Sequence, residues 1–394
     1  MKVVQLNAVC SGSTGKICMA VNKLLAQANI DAYVLYANGP ELDTSTLRYM
    51  SAKEIKIQAL RSKILGNYGF NSGRATRRLI RLLDQIGPDV VHLHNMHGHN
   101  CHLQLLLDYL RKKKIRVFWT FHDCWTFTGY CTHFLVSGCH KWKNGCGNCS
   151  HHSPYSWFFD RSHALCERKR SLFSGLDLTI ITPSQWLANL VKQSFLKDCP
   201  VKVINNGIDL SVFTPCPGHF RQKYGLEHKH IILGVADHWS AKKGLDAFIA
   251  LSGELDDRFV CVLVGTDEKI DRYLPDNILS IHRTQNQQEL AEIYSDADVF
   301  FNPTLEDTYP TVNMESIACG TPVITYPIGG SPEIVTEGTG FVVEQNMSDV
   351  IRTIHTILSQ SVQMRACCIE AAQRFDQNNR FCEYVTLYTS EKSS

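Results

Sequence analysis

Short, continuously apolar runs alternate with amphipathic stretches along most of the 394 residues. The runs KVVQLNAV (2–9), DAYVLYA (31–37), DVVHLHN (89–95), IRVFWTFH (115–122) and LTIITPS (178–184) are rich in β-branched and aromatic residues and bounded by turn formers. They lack the strict alternation of a half-exposed strand. Each therefore predicts a strand buried on both faces, as in a parallel sheet covered by helices. Lys16–Asn29 and Cys101–Lys113 have the spacing of the covering helices. The rhythm stops in VINNGIDLSVFTPCPGHF (203–220), where Asn, Gly and Pro accumulate, and restarts with HIILGVAD, FVCVLVG, NILSIH, DVFFNP and TPVITYP. The fold class is thus α/β, with two doubly wound, Rossmann-like parallel-sheet domains in tandem. The predicted boundaries are 1–204, a linker over 205–228, a second domain over 229–375, and a closing helical segment over 376–394 that can return to the first domain. Such sheets bind ligands beyond the carboxyl ends of their strands, so two facing domains would form a cleft.

Composition narrows the class without naming a reaction. Hydrophobic content of 44% with 20% charged residues is ordinary for a globular protein, and a net charge of +2 gives no global case for nucleic acid. No apolar run approaches a membrane span, and no signal-peptide pattern precedes the first strand, so the cytoplasm is the expected compartment. The sixteen cysteines are then expected to be reduced, with some on metal.

Two stretches bear on phosphate. SGSTGK (11–16) places glycines between a strand and a helix, but a P-loop would need a glycine where Cys10 stands and Ser or Thr where Ile17 stands. The dinucleotide fingerprint fails as well, because Gly12 and Gly15 lack a third glycine at the right spacing. In FNPTLEDTYPTVNMESIACGTPVI (301–324) a strand ends at a proline, Glu306 and Asp307 follow, and a helix begins near Pro310–Thr311 and carries Glu315. A helix N-terminus can receive phosphate, and carboxylates can hold hydroxyls. A sugar nucleotide requires both.

These residues resemble the signature of the family 4 glycosyltransferases, which have the GT-B fold. Their paired glutamates correspond here to Asp307, an aspartate in the first position, and Glu315. The resemblance implies that Glu315 holds the ribose hydroxyls and that Asp307, with Glu306 beside it, faces the transferred sugar. It also implies that Lys243, in GVADHWSAKKGLDAF, neutralises the leaving diphosphate. Where the family has arginine this chain has His238, a weaker donor. Arg283 and Thr284 fall where the family's backbone meets the base. Gly330, in GGSPEIV, and Thr311 fall beside the phosphates or sugar. Gly12, Ser13 and Gly15 are implied to line the reaction centre, and His122, in TFHDCW, to contact sugar or acceptor. His122, Lys243 and Asp307 are the expected catalytic residues. The implied activity is retaining, metal-independent hexosyl transfer from a nucleoside diphosphate sugar to a saccharide acceptor, with UDP expected over GDP. A sugar-nucleotide epimerase on the same scaffold is the alternative enzyme, and a zinc-stapled adaptor the non-enzymatic one.

Residues 124–156 break the α/β rhythm. Cys131, Cys139, Cys146 and Cys149 end in a C-x-x-C pair, with His133 and His140 nearby, and structural zinc is favoured there over disulfides or free thiols. A similar cysteine-rich insert resembles the colanic-acid branch of the family, which builds bacterial surface polysaccharide. Finally, residues 53–81 carry eight Lys and Arg against the single acid Glu54. A solvated helix face explains such a run. A contact with anionic lipid at the inner face of the membrane would suit a lipid-linked acceptor. Nucleic acid is not expected, because no binding module accompanies the charge.

Overall fold

The computed structural model describes residues 1–40 and 43–390. The chain divides into two compact units, the first containing residues 1–205 together with 381 onward, the second residues 206–380. Unit 1 holds seven strands: β1 (Lys2–Val9), β2 (Asp31–Asn38), β3 (Thr46–Arg48), β4 (Val90–Leu93), β5 (Arg116–Thr120), β6 (Leu178–Thr182) and β7 (Val201–Val203). They lie in the order β3-β2-β1-β4-β5-β6-β7, every pair parallel. The central strands are buried throughout, as their unbroken apolar runs require: Val3, Val4, Leu6, Val91, Leu93, Val117 and Phe118 are inaccessible to solvent.

Helices α1 (Gly12–Gln27), α2 (Ala52–Leu65), α3 (Gly73–Ile86) and α4 (Leu103–Lys113) precede or follow these strands. Helix α1 buries Ile17, Cys18, Val21 and Leu25, the stripe expected of an amphipathic helix on a sheet. Helix α2 is set by a capping box between Ser51 and Glu54 and ends at Gly66 in the left-handed conformation. The cysteine-rich segment after β5 contains two short 3-10 turns, Trp125–Phe127 and Lys141–Lys143, and buries Trp125, Phe127, Tyr130, Phe134 and Trp142. The last helix, Gln377–Thr389, sends Phe381, Tyr384 and Tyr388 into a core with Val3, Ile17, Phe118 and Ile181. Arg116 clamps its end by donating to the carbonyls of Leu387, Tyr388 and Ser390.

Unit 2 holds β8 (His230–Val235), β9 (Phe259–Val264), β10 (Ile278–Ile281), β11 (Val299–Asn302), β12 (Val323–Thr325) and β13 (Gly340–Val342), in the order β10-β9-β8-β11-β12-β13. All pairs are again parallel. The residues read as a linker belong to this unit from Asn206 onward: Ile208, Phe213, Phe220 and Leu226 are buried in its core. In each sheet the strand order reverses beside the first strand, between β1 and β4 and between β8 and β11. Loops leaving the carboxyl ends of those pairs diverge there and leave a crevice for ligand. Among the described residues no helix is long and apolar enough to cross a membrane.

Candidate active site

At the switch point of unit 2, two loops are stitched together. The loop after β8 makes a 3-10 turn, Ala241–Lys243, and then Gly244 adopts φ +82°. A Cβ at Gly244 would lie 2.4 Å from Pro303 Cγ and 2.5 Å from Pro303 O, so only glycine permits this approach to the loop after β11. The Leu305 N–H donates to the Lys242 carbonyl at 2.8 Å. This contact sets two lysine–acid pairs side by side: Lys242 Nζ is 2.7 Å from Glu306 Oε2, and Lys243 Nζ is 2.8 Å from Asp307 Oδ2. Glu306 is buried while Lys242 stays exposed. Asp307 also accepts from the Tyr309 N–H at 3.3 Å. Gly329, at φ +61°, lets the glycine-rich turn approach so closely that a Cβ would lie 1.7 Å from the Asp307 carbonyl oxygen. Its neighbour Gly330 has an ordinary φ of −89°.

The helix Thr311–Ala318 starts immediately after this loop, with Pro310 at its cap position and no side chain capping it. Its N-terminal dipole therefore points into the same region as the lysines. Glu315, one turn along, accepts from the Tyr294 hydroxyl at 3.2 Å, and Tyr294 is itself fully buried, which pushes its phenol well up. Two polar atoms here escaped the sequence reading. Asn313 Nδ2 and Ser331 Oγ are buried and have no hydrogen-bond partner, although Asn302 donates to Asn313 Oδ1 at 2.7 Å. Their signal in the sequence is small: a lone Asn on the buried side of TVNMESIA and a Ser after a Gly pair. His238, Arg283 and Thr284 are not drawn into this group. His238 and Arg283 are exposed and Thr284 is half-buried, and no described hydrogen bond or ion pair joins them to the lysine–acid pairs.

In unit 1 the glycines of SGSTGK prove to be the first turn of α1. Gly12, at φ +69°, and Ser13 face open solvent. Gly15 does not line a site: it is buried, and a Cβ would meet the backbone of Cys10 at 2.5 Å, so its role is to let helix and strand end touch. Beyond β4 and β5 lies a histidine relay. Gln5 donates through Nε2 to the Cys18 carbonyl, which leaves Oε1 to face His94 Nε2 at 3.3 Å. His94 Nδ1 is in turn 3.1 Å from His122 Nε2. Burial pushes His94 well below the ordinary imidazole range and His122 down to about 4, so both rings are neutral at neutral pH. With Gln5 as acceptor, His94 carries its proton on Nε2, His122 donates from Nε2, and His122 Nδ1 is the acceptor. His97 and Asp123 form an ion pair at 2.8 Å. Burial opposes charge on both, yet each outweighs it for the other: the His97 imidazolium is held above its usual range and the Asp123 carboxyl below its own.

The insert cysteines Cys131, Cys139, Cys146 and Cys149, the expected ligands of a structural zinc, are all free thiols. Among the described residues no group of three or more His, Cys, Asp or Glu is placed to hold a metal ion. The thiols associate pairwise instead, Cys131 with Cys149 and Cys146 with Cys166. The reason is a fifth thiol, Cys166, delivered by the helix Ser162–Leu172 from outside the sequence window. In each pair one S–H donates to the other sulfur and lowers the acceptor thiol, Cys149 or Cys166. Lys169, fully buried, donates to the Trp125 carbonyl at 2.5 Å and lies 4.0 Å over the Trp125 ring, beside these sulfurs.

The family description "Glycosyl transferases group 1" matches residues 218–375, and "Glycosyltransferase Family 4" matches residues 19–212. A putative colanic acid biosynthesis glycosyl transferase of Escherichia coli (strain K12), WcaC, is 23% identical over 98% of this chain and 99% of its own. A D-inositol 3-phosphate glycosyltransferase of Mycobacterium sp. (strain KMS) is 27% identical over 44% of this chain and 43% of its own. Among solved structures, Anabaena Alr3699/HepE in complex with UDP and glucose superposes with a TM-score of 0.69 at 14% identity, covering 99% of this chain and all of that one. Sucrose-phosphate synthase from Thermosynechococcus elongatus gives 0.70 at 16%, covering 98% of each. These likenesses place both sheets in the GT-B fold.

Proposed function

The chain belongs to the family 4 glycosyltransferases, and from that premise we propose that it transfers a hexosyl group from a nucleoside diphosphate sugar, with UDP as the base carrier, to a growing saccharide of a surface polysaccharide. The observation that carries this reading is the double pair Lys242–Glu306 and Lys243–Asp307 at the N-terminus of the helix Thr311–Ala318. Ammonium groups and free amides suit a diphosphate, and adjacent carboxylates suit sugar hydroxyls. Glu315 would hold the ribose, and Arg283 and Thr284 would lie toward the base. A diphosphate would compete with Asp307 for Lys243, releasing the carboxylate to the donor sugar. Stabilisation of charge on the departing diphosphate then comes from Lys243 and the helix dipole, supplied by protein groups rather than by a metal.

Retention of configuration is part of the proposal and rests on the family resemblance; the leaving oxygen would take the acceptor's proton on the same face. His122 would contact the sugar or acceptor, with its ring oriented by His94 and Gln5. We further propose a lipid-linked acceptor at the inner face of the membrane, supported by the basic stretch of residues 53–81. The relatives named for colanic acid synthesis and for UDP complexes favour a UDP-sugar and a polysaccharide product. A panel of UDP- and GDP-sugars, read by thermal stabilisation and nucleotide release, tests this. Stabilisation by one UDP-sugar, with UDP released on adding acceptor, is the expected result. Conversion of the sugar with no release of UDP would mean an epimerase, and no donor binding would end the proposal.

A further inference from the structure

Half of the fourteen large apolar side chains exposed among the described residues are concentrated on one face of unit 1. Four ride on α2: Ile57, Leu60, Ile64 and Leu65. Three are consecutive, Trp157, Phe158 and Phe159, and Phe158 is 66% exposed. The two groups form one surface. The Trp157 N–H donates to the Lys63 carbonyl at 2.8 Å, and Lys63 Nζ lies 5.6 Å over the Trp157 ring. The Arg161 guanidinium lies 5.7 Å from the Phe159 ring centre, and its stem packs so near Gly66 that a Cβ there would approach it to 3.3 Å. Scattered apolar residues on a surface are ordinary, but a contiguous set of this size marks an interaction site.

The charge on this face is predominantly positive; its exposed acid Asp160, between Phe159 and Arg161, accepts from the Cys149 and Ser162 N–H groups at 2.7 and 2.9 Å. Lys53, Lys56, Arg61 and Arg161 are exposed beside the apolar set. Glu54, the only acid of α2, is taken up by the capping box and by Arg78 at 2.6 Å. Behind Ile57 and Arg61 opens a cavity of about 490 Å³, also lined by Arg74, Arg77 and His102. Aliphatic and aromatic side chains ringed by lysine and arginine match the boundary between acyl chains and anionic headgroups. We propose that α2 and residues 157–159 dock unit 1 onto an anionic lipid bilayer. The aromatic triplet and the α2 aliphatics enter the interface, the flanking lysines and arginines meet lipid phosphates, and the cavity receives a headgroup. This deepens the reading of a lipid-linked acceptor but is measured without donor or acceptor, so its failure and that of the transfer reaction are separable.

Co-sedimentation of the full chain with phosphatidylcholine vesicles, with and without phosphatidylglycerol, tests it. Binding is expected only to the anionic vesicles, weakened by high salt. Each of Lys53→Gln and Lys56→Gln is expected to weaken it about fivefold. The triple variant Leu60→Ser, Ile64→Ser, Phe158→Ser is expected to lose at least about tenfold of vesicle affinity while melting like the wild type, since these side chains are exposed. Trp157→Phe should still bind yet lose the blue shift of tryptophan emission that vesicles produce. Equal binding to both vesicle types, no binding to either, or binding unaffected by the triple variant overturns the proposal. So does self-association in the absence of vesicles that the triple variant abolishes, which would assign the face to a second copy of the chain.

Discussion

Lys243 and Asp307 are 64 positions apart in the chain and 2.8 Å apart in space. The pair is partly exposed, so it contributes little to stability. Its value lies in placing an ammonium group where negative charge would develop. Lys243→Ala is therefore expected to leave the melting temperature nearly unchanged while lowering the rate of transfer by about 10²–10³, the cost typical of removing one such stabilising group. Glu315→Ala should weaken donor binding instead. A parallel fall in melting temperature for Lys243→Ala would reassign the lysine to structure. The His97–Asp123 pair makes a different prediction. Its raised imidazolium and lowered carboxyl mean that the pair stabilises the fold most between the ordinary values of the two groups, near 3.8 and 6.5. That contribution fades as pH rises through the folded value of His97, above 6.5, and on the acid side as pH falls through that of Asp123, below 3.8. Asp123→Asn should remove about 1–3 kcal/mol at pH 6, the range for a charge-assisted hydrogen bond. It should also flatten the decline in melting temperature from pH 6 to 8, measured by scanning fluorimetry.

Among the elements, those that are long and continuously apolar were legible, and those that are short were not. β1, β2, β4, β5, β6, β8, β9, β10, β11 and β12 all sit where apolar runs predict strands. β12 has only three residues but lies in the longer run TPVITYP, whereas β3, β7 and β13, equally short, lie in no run read as a strand and each pair along a neighbouring strand's edge. Helix α1 begins at Gly12 rather than Lys16, because glycines that read as a turn are accepted into a first turn with no side-chain cap. The site shows the same division. The order of Lys243, Asp307, Thr311 and Glu315 along the chain was readable, whereas the Cys146–Cys166 pair and the Gln5–His94–His122 relay depend on contacts between distant elements that spacing does not encode. The 3-10 turn at Lys243 illustrates how one element holds the chemistry. Gly244→Ala adds a Cβ against Pro303 at a left-handed φ, an added strain of about 1–2 kcal/mol from the backbone alone. The strain should relax by withdrawing the Lys242–Lys243 turn from Glu306 and Asp307. Transfer should then fall as it does in Lys243→Ala, with the two substitutions together no worse than either alone. Fully additive losses in single-turnover assays would show that the turn and the lysine act separately.

On the scale of the whole chain, sequence order and structural unit part company at the C-terminus. Unit 2 is complete by residue 380, and unit 1 is completed only by residues after it, because Phe381, Tyr384 and Tyr388 fill a core that also contains Val3, Ile17 and Phe118. Tyr388 additionally bonds His92 Nδ1 at 2.5 Å beneath the sheet. A chain ending at residue 380 would strip these aromatics from unit 1, and loss of even one buried Phe costs about 3–5 kcal/mol. The donor-binding candidates Lys243, Asp307, Thr311 and Glu315 all lie in unit 2, whose strands and acid loop the truncation leaves intact. Two melting transitions are then expected for the truncated protein, an early one from unit 1 and a later one that UDP still raises. Single-site ligand linkage gives about 2.7 kcal/mol at a hundredfold excess of UDP over its dissociation constant. Calorimetry in which truncation lowers the UDP-responsive transition as much as the other would show that the last helix serves the donor site as well as the first core.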